Sequence, residues 1–142
     1  MALDVGEARV GVAVSDPLGL TAQPVTTIRR VGIERDLKAV ADLARQCEAG
    51  AIVVGLPLKL DGGTGPAAAS ILAFVERLRG AVEIPVVTWD ERLSTVQAER
   101  ALLEGDVSRR RRRETIDRVA AAIILQSYLD SRRKEDPLEI PS

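Results

Sequence analysis

Two apolar runs constrain this chain more than anything else in it. "AIVVGLP" at residues 51–57 and "IPVVTW" at 84–89 contain no charged residue. A strand that is apolar on both faces must be covered on both, which marks a parallel sheet sandwiched by helices. The segment between the runs agrees. After the flexible loop "LKLDGGTG", Pro66 suits a first helical position, Ile71, Leu72, Val75 and Leu78 recur at helical spacing, and Gly80 ends the helix. The predicted unit is strand, helix, parallel strand.

The residues before it read as a hairpin and a further strand. Residues 2–6 put Leu3 and Val5 on one face, and Ala2, Asp4 and Gly6 on the other. Residues 9–15 alternate Val10, Val12 and Val14 against Arg9, Gly11, Ala13 and Ser15, and "VTTIRR" at 25–30 is a β-branched third strand. Ile33, Leu37, Val40, Ala41, Ala44 and Cys47 then form a helical stripe stopped by Gly50. Beyond residue 90, Ser94 and Gln97 are spaced as a capping box for a helix to about Glu104. Thr115 can cap a last helix reaching about Ser131. The order β-β-β-α-β-α-β-α-α predicts an α/β domain with a mixed five-stranded sheet, helices on its faces and the first strand at its centre. The 142 residues suffice for one core: a single domain over 1–131 and a polar tail over 132–142.

Composition narrows the chemistry. There is no histidine, which removes histidine bases, proton shuttles and His-ligated zinc. The lone Cys47 excludes an internal disulfide framework, reads as a small core residue and fits a reducing cytoplasm. No segment reaches the ~18 apolar residues of a membrane span, so no membrane partner is expected. The only aromatics are Phe74, Trp89 and Tyr128, too few for a base-stacking platform.

Carboxylates are out of place at three points in the chain. Asp4 lies on a strand placed at the sheet centre, where an unpaired charge would cost several kcal/mol or stay protonated; otherwise it only caps the turn after it. Asp90 and Glu91 follow the carboxyl end of a buried strand, where open α/β sheets hold ligands; Glu91 pairing with Arg92, with Asp90 as a turn residue, is the structural alternative. Asp117 sits in "TIDRVAAAIILQSYL", apolar nearly all round, or serves merely as a favourable charge in a first helical turn. One cause covers all three. Carboxylates that converge on hard divalent cations offset each other's burial, and Mg2+ or Mn2+ suits oxygen donors. Two such ions activate a water and stabilise the leaving oxygen of a phosphodiester. Ala120 to Ala122 are small enough for this helix to approach the sheet closely.

"LDVGEARVGVAVSDP", "VVGLPLKLDGG", "DERLST" and "IDRVAAAIILQSYLD" occur in this order across residues 3–131. Together they resemble the YqgF (RuvX) family, described as Holliday junction resolvases and as nucleases maturing the 5′ end of small-subunit ribosomal RNA. The resemblance implies an RNase H-like fold with sheet order 3-2-1-4-5. It implies Asp4, Glu91 and Asp117 as the catalytic, metal-holding carboxylates. Where relatives carry a Lys-Arg pair, "GEARVG" leaves Arg9 as the matching cation.

The remaining cations read as nucleic-acid contacts. Arg109, Arg110, Arg111, Arg112 and Arg113 are consecutive, and such a run contacts several phosphates without reading sequence; a solvated loop is the plainer reading. Lys59, beside Asp61 in a glycine-rich loop, is a phosphate contact or part of a simple connector. Arg9 and Arg92 are phosphate contacts or anchors for Glu7 and Asp90. The expected function is a divalent-metal-dependent nuclease acting as monomer or homodimer, and the family resemblance implies precursor ribosomal RNA as its substrate. The alternatives are cleavage of branched DNA, which needs two sites and hence a dimer, and a non-catalytic nucleic-acid-binding module. A phosphotransferase, suggested by "DVGEARVG", would need a second domain.

Overall fold

The computed structural model describes residues 1–104 and 109–135. Three strands open it: β1 (Ala2–Val5), β2 (Arg9–Ser15) and β3 (Ala22–Arg29). Then come α1 (Ile33–Gln46), β4 (Ile52–Leu56), α2 (Pro66–Ala81) and β5 (Val86–Asp90). A single 3₁₀ turn (Glu91–Leu93) leads to α3 (Val96–Glu104) and α4 (Arg109–Glu135). The sheet order is β3-β2-β1-β4-β5, the expected mixed sheet. β1 is central, antiparallel to β2 and parallel to β4, and β4 is parallel to β5.

The alternation on β1 sorts its side chains between two layers. Leu3 and Val5 join Val10, Val12, Val54 and Val86 under α1 and α2, in a core that includes Leu37, Val40, Phe74 and Val75. Ala2, Ala13 and Val53 face the other way, against Val96, Ala120, Ala121, Ile124 and Leu125 of α3 and α4. Asp4 lies on this second face. Trp89 and Tyr128 close the layer edge to face at 5.6 Å, and the indole donates to Ser127 Oγ at 3.0 Å. No helix among the described residues is long and apolar enough to cross a membrane.

Four local expectations change. The arginine run is not a loop: α4 begins at Arg109, because arginine is among the better helix formers and needs no apolar stripe to stay helical. Thr115 is therefore inside the helix and is not its cap, and the helix runs four residues past Ser131. Strand β3 starts at Ala22 and includes Pro24, tolerated because β3 is an edge strand and the register shifts between Val12 and Ala13 opposite it. Cys47 is a half-buried helix end, not core, since α1 stops at Gln46 and Glu48 takes the left-handed turn with φ 53°. Residues 105–108 and 136–142, including most of the expected tail, lie outside the described residues.

Helix α4 meets the sheet where β2 lacks a side chain. Gly11 faces Asp4 across the β1–β2 pair. A Cβ on Gly11 would fall on the Asp117 carbonyl group and 2.8 Å from the Arg118 nitrogen. These are backbone atoms, so α4 itself would have to move. Gly11→Ala is expected to cost at least about 2 kcal/mol, at the upper part of the overpacking range, read from urea unfolding. An unchanged midpoint would show that α4 is not seated on this strand.

Candidate active site

The carboxyl edge of the parallel strands gathers the three predicted carboxylates. Asp4 is the third residue of β1, Glu91 opens the 3₁₀ turn just past β5, and Asp117 lies two turns into α4. Glycines clear the space for them. Gly11 admits the Asp117 backbone, and a Cβ on Gly55 of β4 would lie 3.0 Å from Glu91 Oε2 and 2.5 Å from Ile124 Cδ1. The side chains of Asp4 and Asp117 are 14% and 20% exposed, and that of Glu91 only 1%.

Arginines, not neighbouring dipoles, answer these charges. Arg100 of α3 donates through Nη2 to Asp4 Oδ1 and through Nη1 to Glu91 Oε1, both at 2.6 Å. One guanidinium fork thus bridges two carboxylates that lie far apart in sequence. Arg9 Nε donates to Asp117 Oδ2, also at 2.6 Å. Burial pushes the Asp4 carboxyl up to about 6; Arg100 opposes that shift, while Glu91 and Asp117 add to it. Asp4 is thus near enough to Glu91 and to Asp117 for both charges to act on it. Burial also works against the charge of Arg100, but Asp4 and Glu91 outweigh it and hold the guanidinium above its ordinary value.

The donor set is carboxylate oxygen only, which suits hard divalent cations, and each acid spends one oxygen on its arginine. As the side chains stand, no group of three acidic, His or Cys residues among those described is arranged to hold a metal. The donor chemistry nonetheless suits a hard divalent cation, which Asp4, Glu91 and Asp117 would hold; as the side chains stand, Arg100 lies between Asp4 and Glu91.

The other predicted cations divide. Arg92 does not pair with Glu91. It grips Asp90 through Nε and Nη2 (2.7–3.1 Å) and reaches the carbonyls of Lys59 and Leu60 through Nη1. Its backbone N–H also donates to Asp90 Oδ1 at 2.9 Å. These contacts hold the Asp90 carboxyl below its usual range. Arg92 thus anchors Asp90, as the plainer reading had it, and in addition the glycine loop. Lys59 is exposed on that loop, whose Asp61 accepts from the Gly63 N–H at 2.8 Å. Arg112 and Arg113 are exposed on α4. Arg109, Arg110 and Arg111 belong to its first turn, and their side chains lie outside the described residues.

Arg100 is the residue of this cluster that the sequence did not reveal. In "VQAERALLE" it reads as a solvated charge on a short amphipathic helix, and its partner Asp4 is 96 residues away. The one available signal was the unpaired Asp4 itself, which required a cation from somewhere.

Two stability measurements test this charge network in divalent-free buffer. Folded Asp4 binds its proton more tightly than unfolded Asp4, whose ordinary value is 3.8. Its contribution is thus present at acid pH, is lost as pH rises from about 4 to 6, and stays lost above. The stability of Asp4→Asn relative to wild type should therefore climb between pH 4 and pH 7, by up to about 3 kcal/mol. A difference flat with pH would mean that Asp4 does not titrate there. Arg100→Met strands two carboxylates and should cost about 3 kcal/mol at pH 7.5, the lower end for breaking a buried pair. The loss should shrink at pH 5, and an equal loss at both pH values would contradict the bridge.

Comparison with known proteins places the chain. The family model described as "RuvX: Holliday junction resolvase" matches residues 1–131. A protein of Symbiobacterium thermophilum is 54% identical over 135 residues, covering 95% of this chain and 94% of its own length. One of Myxococcus xanthus is 53% identical over 136 residues, covering 96% and 90%. Both carry the name "Putative pre-16S rRNA nuclease". Among solved structures, Thermus thermophilus RuvC in complex with Holliday junction substrate superposes with a TM-score of 0.57 at 15% identity, over 92% of each chain. At that identity the likeness concerns the fold, and it bears out the RNase H-like architecture. With the family model matched from Met1 to residue 131 and relatives more than half identical along nearly their whole length, this chain belongs to the RuvX family.

Proposed function

We propose that this protein is a nuclease that hydrolyses phosphodiester bonds in the 5′ maturation of precursor small-subunit ribosomal RNA, in the cytoplasm. Asp4, Glu91 and Asp117 are its catalytic carboxylates and would hold Mg2+ or Mn2+, two ions in all. The observation that carries this reading is the convergence of Asp4 of β1 and Glu91 after β5 on one guanidinium, with Asp117 of α4 held by Arg9 near enough to act on Asp4. The relatives named for pre-16S ribosomal RNA support the choice of substrate.

The chain's own residues prepare the site. Arg100 holds Asp4 and Glu91 at a common spacing, and Arg9 fixes the Asp117 carboxylate from the β2 side. When bound, the divalent ions supply Lewis-acid activation of the attacking water and stabilise charge on the leaving oxygen. Lys59 and the exposed Arg112 and Arg113 present positive charge toward the phosphates of the strand, with Arg109, Arg110 and Arg111 extending that charge. Arg92 contributes by holding the loop that carries Lys59.

The description of the matching family favours a second reading, cleavage of branched DNA. Symmetric cutting of a four-way junction needs two sites and therefore a homodimer, whereas RNA trimming is compatible with a monomer. A module that binds without cutting is disfavoured by the presence of all three acids.

The test is cleavage of a ribosomal precursor RNA, single-stranded DNA and a four-way junction with Mg2+ or Mn2+. The RNA should be cut, and chelation should stop the reaction. Asp4→Asn, Glu91→Gln and Asp117→Asn should each lower kcat by about a hundredfold or more, the scale of losing one charge-stabilising group. A junction cut in preference to RNA would decide for the second reading. Undiminished cleavage by the three variants would remove the site assignment.

A further inference from the structure

A pocket of about 360 Å³ opens beside the carboxylates, lined by Ala8, Arg9, Arg29, Arg30, Arg113 and Glu114. That volume lies at the lower end of the roughly 300–1,000 Å³ of ligand pockets. Its composition is unusual: four guanidiniums against one carboxylate. Arg9 and Arg29 stand directly opposite one another in the β2–β3 register, and like charges so placed oppose sheet formation. Two of the four cations are committed. Arg9 pairs with Asp117, and Arg30 donates to Asp36 Oδ2 at 3.0 Å and to the Gly6 carbonyl at 2.9 Å. Arg29 and Arg113 are exposed and have no ion pair among the described residues. On the helix side the wall is tied to the sheet, because Thr27 Oγ1 donates to the Glu114 carbonyl and links α4 to β3.

We propose that this pocket is a binding subsite for a backbone phosphodiester of the nucleic-acid strand, with Arg29 and Arg113 as its contacting cations. An anion seated there relieves the opposition of Arg9 and Arg29. Arg9, one of the four arginines lining the pocket, also holds Asp117, so a phosphate in the pocket lies one guanidinium away from that acid. The subsite recognises the phosphodiester alone and reads no base, so it serves RNA and DNA alike. The proposal rests on the nuclease reading and extends it by assigning Arg29, to which sequence reasoning gave no role.

The experiment is equilibrium binding of fluorescein-labelled single-stranded RNA and of a labelled four-way DNA junction across a potassium chloride series. It is run in the Asp4→Asn background so that bound strands are not cut. Adding Arg29→Ala should weaken binding several-fold at low salt. It should also flatten the slope of log affinity against log salt by about 0.7 on RNA and about 0.9 on duplex arms, one phosphate contact in each case. Arg29→Lys should restore the slope. Arg77→Ala, which removes an arginine of α2 paired with Glu34, should leave the slope unchanged. Thermal melting accompanies each variant. A lowered melting temperature for Arg29→Ala with an unchanged slope would make the cluster structural and overturn the subsite, as would an unchanged slope with no loss of stability. Either result would leave the nuclease reading intact if the parent protein binds. A parent that binds neither nucleic acid at any salt would overturn that reading and the subsite together.

Discussion

The seat of α4 on β2 is the contact from which the rest of the site follows. Gly11 removes the one side chain that would hold the helix away, and the Asp117 carbonyl occupies the space. Ala120 and Ala121 continue the close approach, both fully buried against the sheet. Glycine costs backbone entropy in a strand, so its place here reflects the need for proximity. Because Gly11 pairs with Asp4, the same close approach that packs the helix brings its acid beside the acid of β1. Gly55 repeats the device on the other side of β1, making room for Glu91 and Ile124 together. Packing and the spacing of the charges are one constraint in this fold.

Without histidine, the molecule handles buried acids with arginine. The two buried charged side chains among the described residues are Asp36 and Glu91, and each meets a guanidinium. The settings differ in a way that separates scaffold from site. Asp36 accepts from Arg30 and from the Val31 N–H, local partners just before and at the start of α1. Asp4 and Glu91 share a single arginine, so the pair is under-neutralised by one charge. Burial first, and then the charges of Glu91 and Asp117, leave Asp4 with a raised affinity for a proton that Arg100 only partly offsets. A cluster with surplus negative charge is poised to accept a further cation, which a satisfied pair such as Arg30 and Asp36 is not.

Much of this was legible in the sequence, and the reasons differ by element. The strands could be read because β1, β2, β4 and β5 are buried by pattern, with period two or a continuous apolar run. The acidic positions could be singled out because each violated its surroundings: a charge on a central strand, at the end of a buried one, or on an apolar helix; only the family resemblance chose Glu91 over its neighbour Asp90. Arg100 could not be found, since nothing local distinguishes it from any exposed arginine on a short helix. The helical state of the arginine run was also hidden, because hydrophobic periodicity, the main signal for a helix, is absent where every residue is charged. The C-terminus of α1 misled because Gly50 offered an obvious stop, while the chain turned at Glu48 in a conformation that non-glycine residues seldom adopt.

The strand registers explain why acids and bases collect at one edge. β1, β4 and β5 run parallel, so Asp4, the loop after β4 and the turn after β5 all emerge on their carboxyl side, where a sheet of this kind opens a crevice. Helix α4 runs from that edge back across β3: Thr27 holds the Glu114 carbonyl, and Gln126 pairs with Leu20 and Ala22 at the far end. Its first turns, which carry the arginines, therefore sit at the carboxyl edge, and its apolar middle lies over the sheet. Had α4 crossed in the opposite sense, its basic turns would stand at the far edge beside Leu20 and Ala22, remote from the acids. The direction of one helix thus decides that a cluster able to attract cations and a surface able to attract phosphates face the same space. That coincidence of opposite charges at one edge is what a phosphodiester and its metal ions together require.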